Sequence, residues 1–338
     1  MLPTVAVTPT ALSQNVRRTI DRYRLLPEGS RVLVGLSGGS DSVALAWVLA
    51  DLALHGGFEV VSLAHLNHRL RVTADRDEAF CRGLSVRLGL PIVVESAEVA
   101  DRAVVARLSV EDAARRIRYD FIHRVADGCG ADLVAVGHTR DDQAETFLLK
   151  LMRGAGSTGL GGVYPRRGRI IRPLLDVSRA DLRAYLVARG EPWVDDETNA
   201  DLDNPRNRIR HRVLPELNLA YGSDTAPAIA RAADLIREDG CWLDEVADGR
   251  FRVLATVTAE TVSFEAAEIA AEPPPLLRRV VLRAMRLRAQ DRQFARSHVD
   301  AVLALLEGRA RAADVPGGRW ELRREKLVLF SGRHGESK

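Results

Sequence analysis

Near-continuous apolar runs alternate along the first half of the chain with stretches whose apolar residues recur every three or four positions. "RVLVGL", "FEVVSLAHL", "LPIVVESAEV", "DLVAVGH" and "RIIRPLL" read as strands buried on both faces. Between them, "SVALAWVLADLAL", "DRDEAFCRGLSVRLG", "SVEDAARRIRYDFIHRVADG" and "DDQAETFLLKLMRG" read as helices. Each connection is long enough for a crossover helix, which predicts an α/β fold with a doubly wound, mainly parallel sheet. Ser109 with Asp112 marks a capping box, and Gly154 marks a helix stop. After "SRADLRAYLVARG" the pattern gives way to "EPWVDDETNADLDNPRNRIRHRVLPEL", a polar, proline-bounded linker or functional loop over about residues 191–217. From about Tyr221 the chain reads mostly helical. Its tail, "VPGGRWELRREKLVLF", alternates around Gly317-Gly318 like a small β hairpin. Residues 1–217 are therefore expected to form one domain with its linker, and residues 218–338 a mostly helical region with a terminal hairpin.

Composition narrows the class. The 338 residues are 46% apolar, enough for a buried core and more than one domain. No apolar run approaches membrane-spanning length, and the first residues lack the regions of a secretory signal, so a cytoplasmic location is expected. Cys81, Cys129 and Cys241 lie far apart with no C-x-x-C, which gives little support to a zinc ribbon, an iron–sulfur cluster or a redox pair. Net charge is only +3, but from Arg278 to Lys326 thirteen basic residues stand against six acidic ones. That quarter is either a footprint for phosphates or a solvated arginine-rich face; charge alone favours neither.

The sharpest signal is "SGGSDS", where the first apolar strand breaks and a helix at once begins. In an open α/β sheet ligands bind beyond the carboxyl ends of the strands. Small residues let backbone N–H groups approach an anion, and the helix start adds unpaired donors and its dipole. Ser37, Gly38, Gly39, Ser40, Asp41 and Ser42 thus form a corner shaped for phosphate. It is neither a Walker A loop, since no G-K-[ST] occurs, nor G-x-G-x-x-G. Asp41 would repel phosphate unless a cation such as Mg²⁺ bridges them. The competing reading is a glycine-rich turn in which Asp41 or Ser40 caps the helix.

"SGGSDS" after an apolar strand resembles the PP-loop of the N-type ATP pyrophosphatases. "HLNHRLR", "EDAARRIRYDF", "GHTRDDQAETFLLKLMRG", "IRPLL" and a linker with "DDETN" and "RNRIR" follow in order. Together they resemble the tRNA(Ile)-lysidine synthetase family over about Val32 to Leu217. The resemblance implies a PP-loop catalytic domain over residues 1–217 and a tRNA-binding region over residues 218–338. It also implies the reaction: ATP adenylates the C2 oxygen of the wobble cytidine in a CAU-anticodon tRNA(Ile), and the side-chain amine of free lysine displaces AMP. The product, lysidine, turns AUG reading into AUA reading.

On this resemblance the corner serines and glycines hold the pyrophosphate part of ATP, and Asp41 helps to place Mg²⁺. Asp142 and Glu145, three apart on one helix face, bind and orient the cationic lysine; Asp142 sharing the metal is the alternative. His138 lies near the adenylated base, and His65 lines the nucleotide pocket. Arg115, Arg206, Asn207 and Arg210 contact tRNA or the adenylate, although the arginines of "RRIR" also fit a solvated helix face. Glu197 departs from the family's small hydroxyl residue after the aspartate. Longer members carry an additional terminal module, and here only one helical region plus the final hairpin is expected. The oligomeric state is left open, a homodimer among the options, and no membrane partner is expected.

Two rivals carry different expectations. A PP-loop tRNA thiolase of the 2-thiocytidine type would depend on a sulfur donor and typically uses paired cysteines. A non-catalytic nucleotide and RNA sensor would need the glycine loop but not the acidic cluster of Asp141, Asp142 and Glu145.

Overall fold

The computed structural model describes residues 9–67, 74–97, 110–195, 201–289, 292 and 294–331. The Ser109 capping box lies outside them. The five apolar runs form β1 (Arg31–Gly35), β2 (Glu59–Asn67), β3 (Ile92–Ser96), β4 (Leu133–Ala135) and β6 (Ile170–Ile171), with β5 (Arg166–Arg167) at the edge. Their order is β3-β2-β1-β4-β6-β5, parallel except for the β5–β6 pair. Val32, Leu33 and Val34 of β1 are fully buried, as a strand covered on both faces must be.

Helices on each face supply that cover. On one side α1 (Pro9–Arg22), α2 (Ser40–Ala53), α3 (Ala74–Leu88) and a helix further along, Arg179–Arg189, share a core. It joins Leu12, Val16 and Ile20 to Val32, Val34, Leu45, Leu49, Leu84, Leu182 and Leu186. On the other side α4 (Val110–Gly128) lays Phe121, Ile122 and Val125 against Leu33 and Val134. Helix α5 (Arg140–Met152) follows β4, and α6 is the helix Arg179–Arg189 just named. Gly154 ends α5 at φ +67°, a left-handed position suited to glycine, as its place in the sequence predicts.

The winding locates the functional edge. From β1 the chain steps outward to β2 and β3, then returns to set β4 on the opposite side of β1. The order reverses between β1 and β4, and open α/β sheets bind ligands at the carboxyl ends of the strands at such a point.

The chain divides into two compact units, Met1–Arg237 and Glu238–Lys338, with the division inside α7 (Ala226–Leu254). In the second unit the hairpin of β10 (Gly318–Arg323) and β11 (Lys326–Ser331) belongs to a larger antiparallel sheet. Its order is β7-β8-β11-β10-β9, with β7 (Thr256–Val257), β8 (Thr261–Glu265) and β9 (Ala312–Val315). Trp320 is fully buried there, stacked at 6.3 Å on Phe264. Part of the arginine content is structural: Arg279 pairs with Asp244 at 2.8 Å and Arg283 with Asp248 at 3.0 Å. No described helix is long and apolar enough to cross a membrane.

Candidate active site

Ser37 to Ser42 carry the chain from β1 into α2. Gly38 sits at φ +89°, where a side chain would be strained, and its carbonyl accepts the Val194 N–H at 2.9 Å. The Ser42 hydroxyl donates to the Gly39 carbonyl at 3.0 Å and accepts the Ser37 N–H at 3.1 Å, fixing the turn. The N-cap of α2 is Gly39, and no side chain caps the helix. The capping reading of Ser40 and Asp41 is therefore not what the chain adopts; the Ser40 hydroxyl bonds Asp41 Oδ1 at 3.1 Å instead. A helix start without a cap presents its first N–H groups and positive dipole end to an anion. Gly137, just past β4, permits the close approach: a Cβ there would stand 3.1 to 3.2 Å from the Asp41 and Ser42 backbone.

The start of α5 is built differently. Thr139 is its N-cap and forms a capping box with Asp142. Asp142 Oδ2 accepts the Thr139 N–H at 2.8 Å and its hydroxyl at 3.0 Å, and the Asp142 N–H donates to Thr139 Oγ1 at 3.3 Å. The other carboxylate oxygen, with both of the fully buried Glu145, faces three arginines. Arg179 Nη2 reaches Asp142 Oδ1 at 2.5 Å, Nη1 reaches Glu145 Oε1 at 3.0 Å, and Nε reaches Asp41 Oδ2 at 3.2 Å. Arg206 bonds Glu145 Oε2 at 2.7 Å and Asp142 Oδ1 at 3.0 Å, and Arg210 grips Glu145 at 2.7 and 3.0 Å.

Electrostatics separate the three carboxylates. Burial pushes Asp142 up, but the Arg179 and Arg206 charges outweigh it and hold the carboxyl at about 2. Glu145 is likewise held below its ordinary range, Arg210 and Arg179 prevailing over burial. Asp41 goes the other way: burial raises it, and Arg179 only partly opposes. His138, beside the cluster, is lowered to about 4, first by burial and then by Arg172, Arg206 and Arg118, against Asp142. It is neutral at pH 7, with a buried Nδ1 that lacks a partner among the described residues.

The site thus gathers Asp41, Asp142, Glu145, Arg206 and Arg210, and the two arginines, four apart, both bond the Glu145 carboxylate. His65, at the end of β2, is near Leu36 and the loop: its Nδ1 meets the Leu36 carbonyl at 2.9 Å and Cys81 Sγ at 3.3 Å. Burial lowers its pKa, and Nε2 is buried without a described partner. Asn207 is turned to the linker, donating to the Asp201 carbonyl at 2.8 Å. The side chain of Arg115, and residues His68, Glu197 and Asn199, lie outside the described residues. Sequence reasoning missed Arg179, the one side chain among the described residues that touches all three carboxylates. A signal was present: Ser178 with Asp181 predicts a helix start, which puts a cation in the first turn, where the dipole opposes it.

The uncapped loop-to-helix corner at the reversal point of a parallel sheet is a general phosphate site, and residues 10–217 match the PP-loop domain family, a class that uses ATP. The tRNA(Ile)-lysidine synthase of Geobacter sulfurreducens is 38% identical over 326 residues, covering 95% of this chain and 68% of that protein. Those of Symbiobacterium thermophilum and Thermus thermophilus are both 40% identical, over 80% and 87% of this chain but 58% and 55% of their own lengths. The chain belongs to the tRNA(Ile)-lysidine synthase family, a family of enzymes. Among solved structures, a U34-tRNA thiolase from Methanococcus maripaludis with its iron–sulfur cluster aligns at a TM-score of 0.56 and 15% identity. It covers 68% of this chain and 80% of the thiolase, and the likeness is one of fold alone.

Proposed function

We propose that this chain modifies the wobble cytidine of a CAU-anticodon tRNA(Ile) with lysine, in the cytoplasm, at the expense of ATP. The observation that carries the reading is the pairing, at one site, of an uncapped helix start with a buried acid–arginine cluster. The α2 N–H groups and the corner serines suit the β,γ-pyrophosphate of ATP. The Asp41 carboxylate, hydrogen-bonded at one oxygen to Ser40 and at the other to Arg179, suits a Mg²⁺ shared with phosphate oxygens, which would neutralise charge there.

In the first half-reaction the C2 oxygen of cytidine attacks the α-phosphorus and pyrophosphate leaves. In the second, the lysine ε-amine attacks C2, the bond to AMP breaks, and a proton is released. Asp142 and Glu145 remain ionised throughout the neutral range, so they serve as fixed anions that orient an ammonium group rather than as proton acceptors. Neutral His138 can hydrogen-bond the base without adding positive charge beside it. Arg206 and Arg210 favour the anionic adenylate or tRNA phosphate.

The test is to incubate the protein with ATP, Mg²⁺, lysine and a CAU tRNA(Ile) transcript, then weigh the digested anticodon loop by mass spectrometry. A cytidine heavier by one lysine less water, absent with Asp41→Ala, is expected. An unmodified cytidine with ATP intact and tRNA bound would overturn the reading, and dependence on a sulfur donor in place of lysine would favour a thiolase.

A further inference from the structure

The acidic pair assigned to lysine is occupied by the chain itself. Three carboxylates, of Asp41, Asp142 and Glu145, face three guanidiniums, of Arg179, Arg206 and Arg210, and these donors take up the oxygens of Asp142 and Glu145 that an ammonium ion would need. The three arginines differ in what else lies within reach. Arg206 and Arg210 come from the linker and bond only Asp142 and Glu145 among these acids. Arg179 alone also touches Asp41, the second residue of α2, at 3.2 Å, next to the uncapped terminus suited to phosphate.

Outside the three carboxylates, Arg179 is held at its backbone. Its N–H is held by Asp141 Oδ2 at 2.9 Å, and Ser178 caps the helix that it begins. The guanidinium can therefore change partners by side-chain rotation alone, with the helix in place. Guanidinium pairs with phosphate as readily as with carboxylate, and through the same two-pronged geometry.

We propose that Arg179 is a nucleotide-operated stopper on the amine site. The triphosphate of ATP, seated at the α2 N-terminus, draws the guanidinium from Asp142 and Glu145. With Arg179 turned away, Asp142 Oδ1 and Glu145 Oε1 each lose one donor, and those acceptor positions suit one lysine ammonium. Lysine binding thus follows nucleotide binding, and the amine is admitted only when the cytidine can be activated. This rests on the reading of Asp142 and Glu145 as the lysine site.

The experiment is calorimetric titration of L-lysine into the purified chain with and without α,β-methylene-ATP and Mg²⁺, for wild type, Arg179→Gln and Arg179→Lys. Wild type is expected to bind lysine at least about tenfold more tightly with the analogue, and lysine to tighten the analogue by the same factor, since coupling is reciprocal. In Arg179→Gln the ratio should fall to within about twofold, lysine binding without the analogue because the stopper is gone. Arg179→Lys keeps the charge but cannot span three carboxylates with one ammonium, so its coupling should drop at least about threefold. Circular dichroism checks that each variant is folded; should Arg179→Gln not fold, wild type and Arg179→Lys decide. Lysine that ignores the analogue in wild type, or coupling unchanged in a folded Arg179 variant, overturns the stopper alone. Lysine that binds under neither condition, in a chain that binds the analogue, overturns the stopper together with the lysine assignment.

Discussion

The helices α2 and α5 both start at the carboxyl edge of the parallel sheet, after neighbouring strands, and their first turns are finished in opposite ways. At α5 the chain closes its own helix: Thr139 and Asp142 exchange hydrogen bonds, and the remaining oxygen of Asp142 is taken by arginine. At α2 the N-cap is a glycine, and the neighbouring carboxyl, Asp41, is raised by burial rather than settled by its partners. One terminus satisfies itself; the other is completed by what binds. A helix N-terminus becomes an anion site only where the sequence withholds the side chain that would otherwise fill it.

The comparison would break most visibly at Glu145. It is fully buried and accepts hydrogen bonds from three guanidiniums, so Glu145→Ala leaves three half-buried positive charges facing two carboxylates. Removing one side of a buried ion network costs about 3–5 kcal/mol. A fall of that size in urea unfolding free energy is expected; a loss below about 1 kcal/mol would mean that the cluster behaves like a solvated surface network.

Acid should separate the two helix starts next. Asp142 is held at about 2 against an ordinary 3.8, so its contribution is complete at neutral pH and is lost as pH falls from about 4 towards 2. Asp41 has the opposite sign: its ionised form is disfavoured, so stability is gained as pH falls through its raised pKa. At pH 7, Asp142→Asn should therefore lower stability, by on the order of 2 kcal/mol, and lose most of its deficit by about pH 2. Asp41→Asn should leave stability unchanged or raise it at pH 7, although both variants lose product. Thermal melts across pH 2 to 8 read both curves, and a destabilised Asp41→Asn would show that Arg179 needs that carboxylate more than burial opposes it.

Sequence made one half of this comparison legible and hid the other. Val32 to Leu49 declares strand, corner and helix by the change of period at six small residues, and that corner is local. Asp142 and Glu145 show themselves as acids at a helix start for the same reason. The closing of the cluster is not local. Arg179 lies 34 residues beyond Glu145, and it meets Asp41 only because α6 packs beside α2. Its one trace in the sequence, a cation in a first helical turn, is an unfavourable local choice that makes sense only in the assembled fold. The terminal sheet was half legible likewise: the Gly317 turn reveals the antiparallel pair of β9 and β10, whereas β7 and β8 are too short for their alternation to stand out.

The smallest effect tests the comparison most directly, because it turns the open helix into a closed one. Gly39 has φ −71° and ψ 158°, an N-cap conformation that serine adopts without strain. A Cβ there would meet only the Ser37 hydroxyl at 3.6 Å and the Val194 carbonyl at 3.9 Å, both ordinary contacts. Gly39→Ser therefore fits, and its hydroxyl can accept an N–H from the first turn of α2, as Thr139 does on α5. Replacing glycine with serine at an N-cap stabilises a helix by only about a few tenths of a kcal/mol. The same hydroxyl now competes with phosphate for the donors, so the affinity for α,β-methylene-ATP should fall while the melting temperature holds or rises slightly. A variant that gains stability and keeps its nucleotide affinity would mean that phosphate is held elsewhere than at the α2 terminus. Opposite movement of the two quantities is what an uncapped helix kept open for a ligand requires.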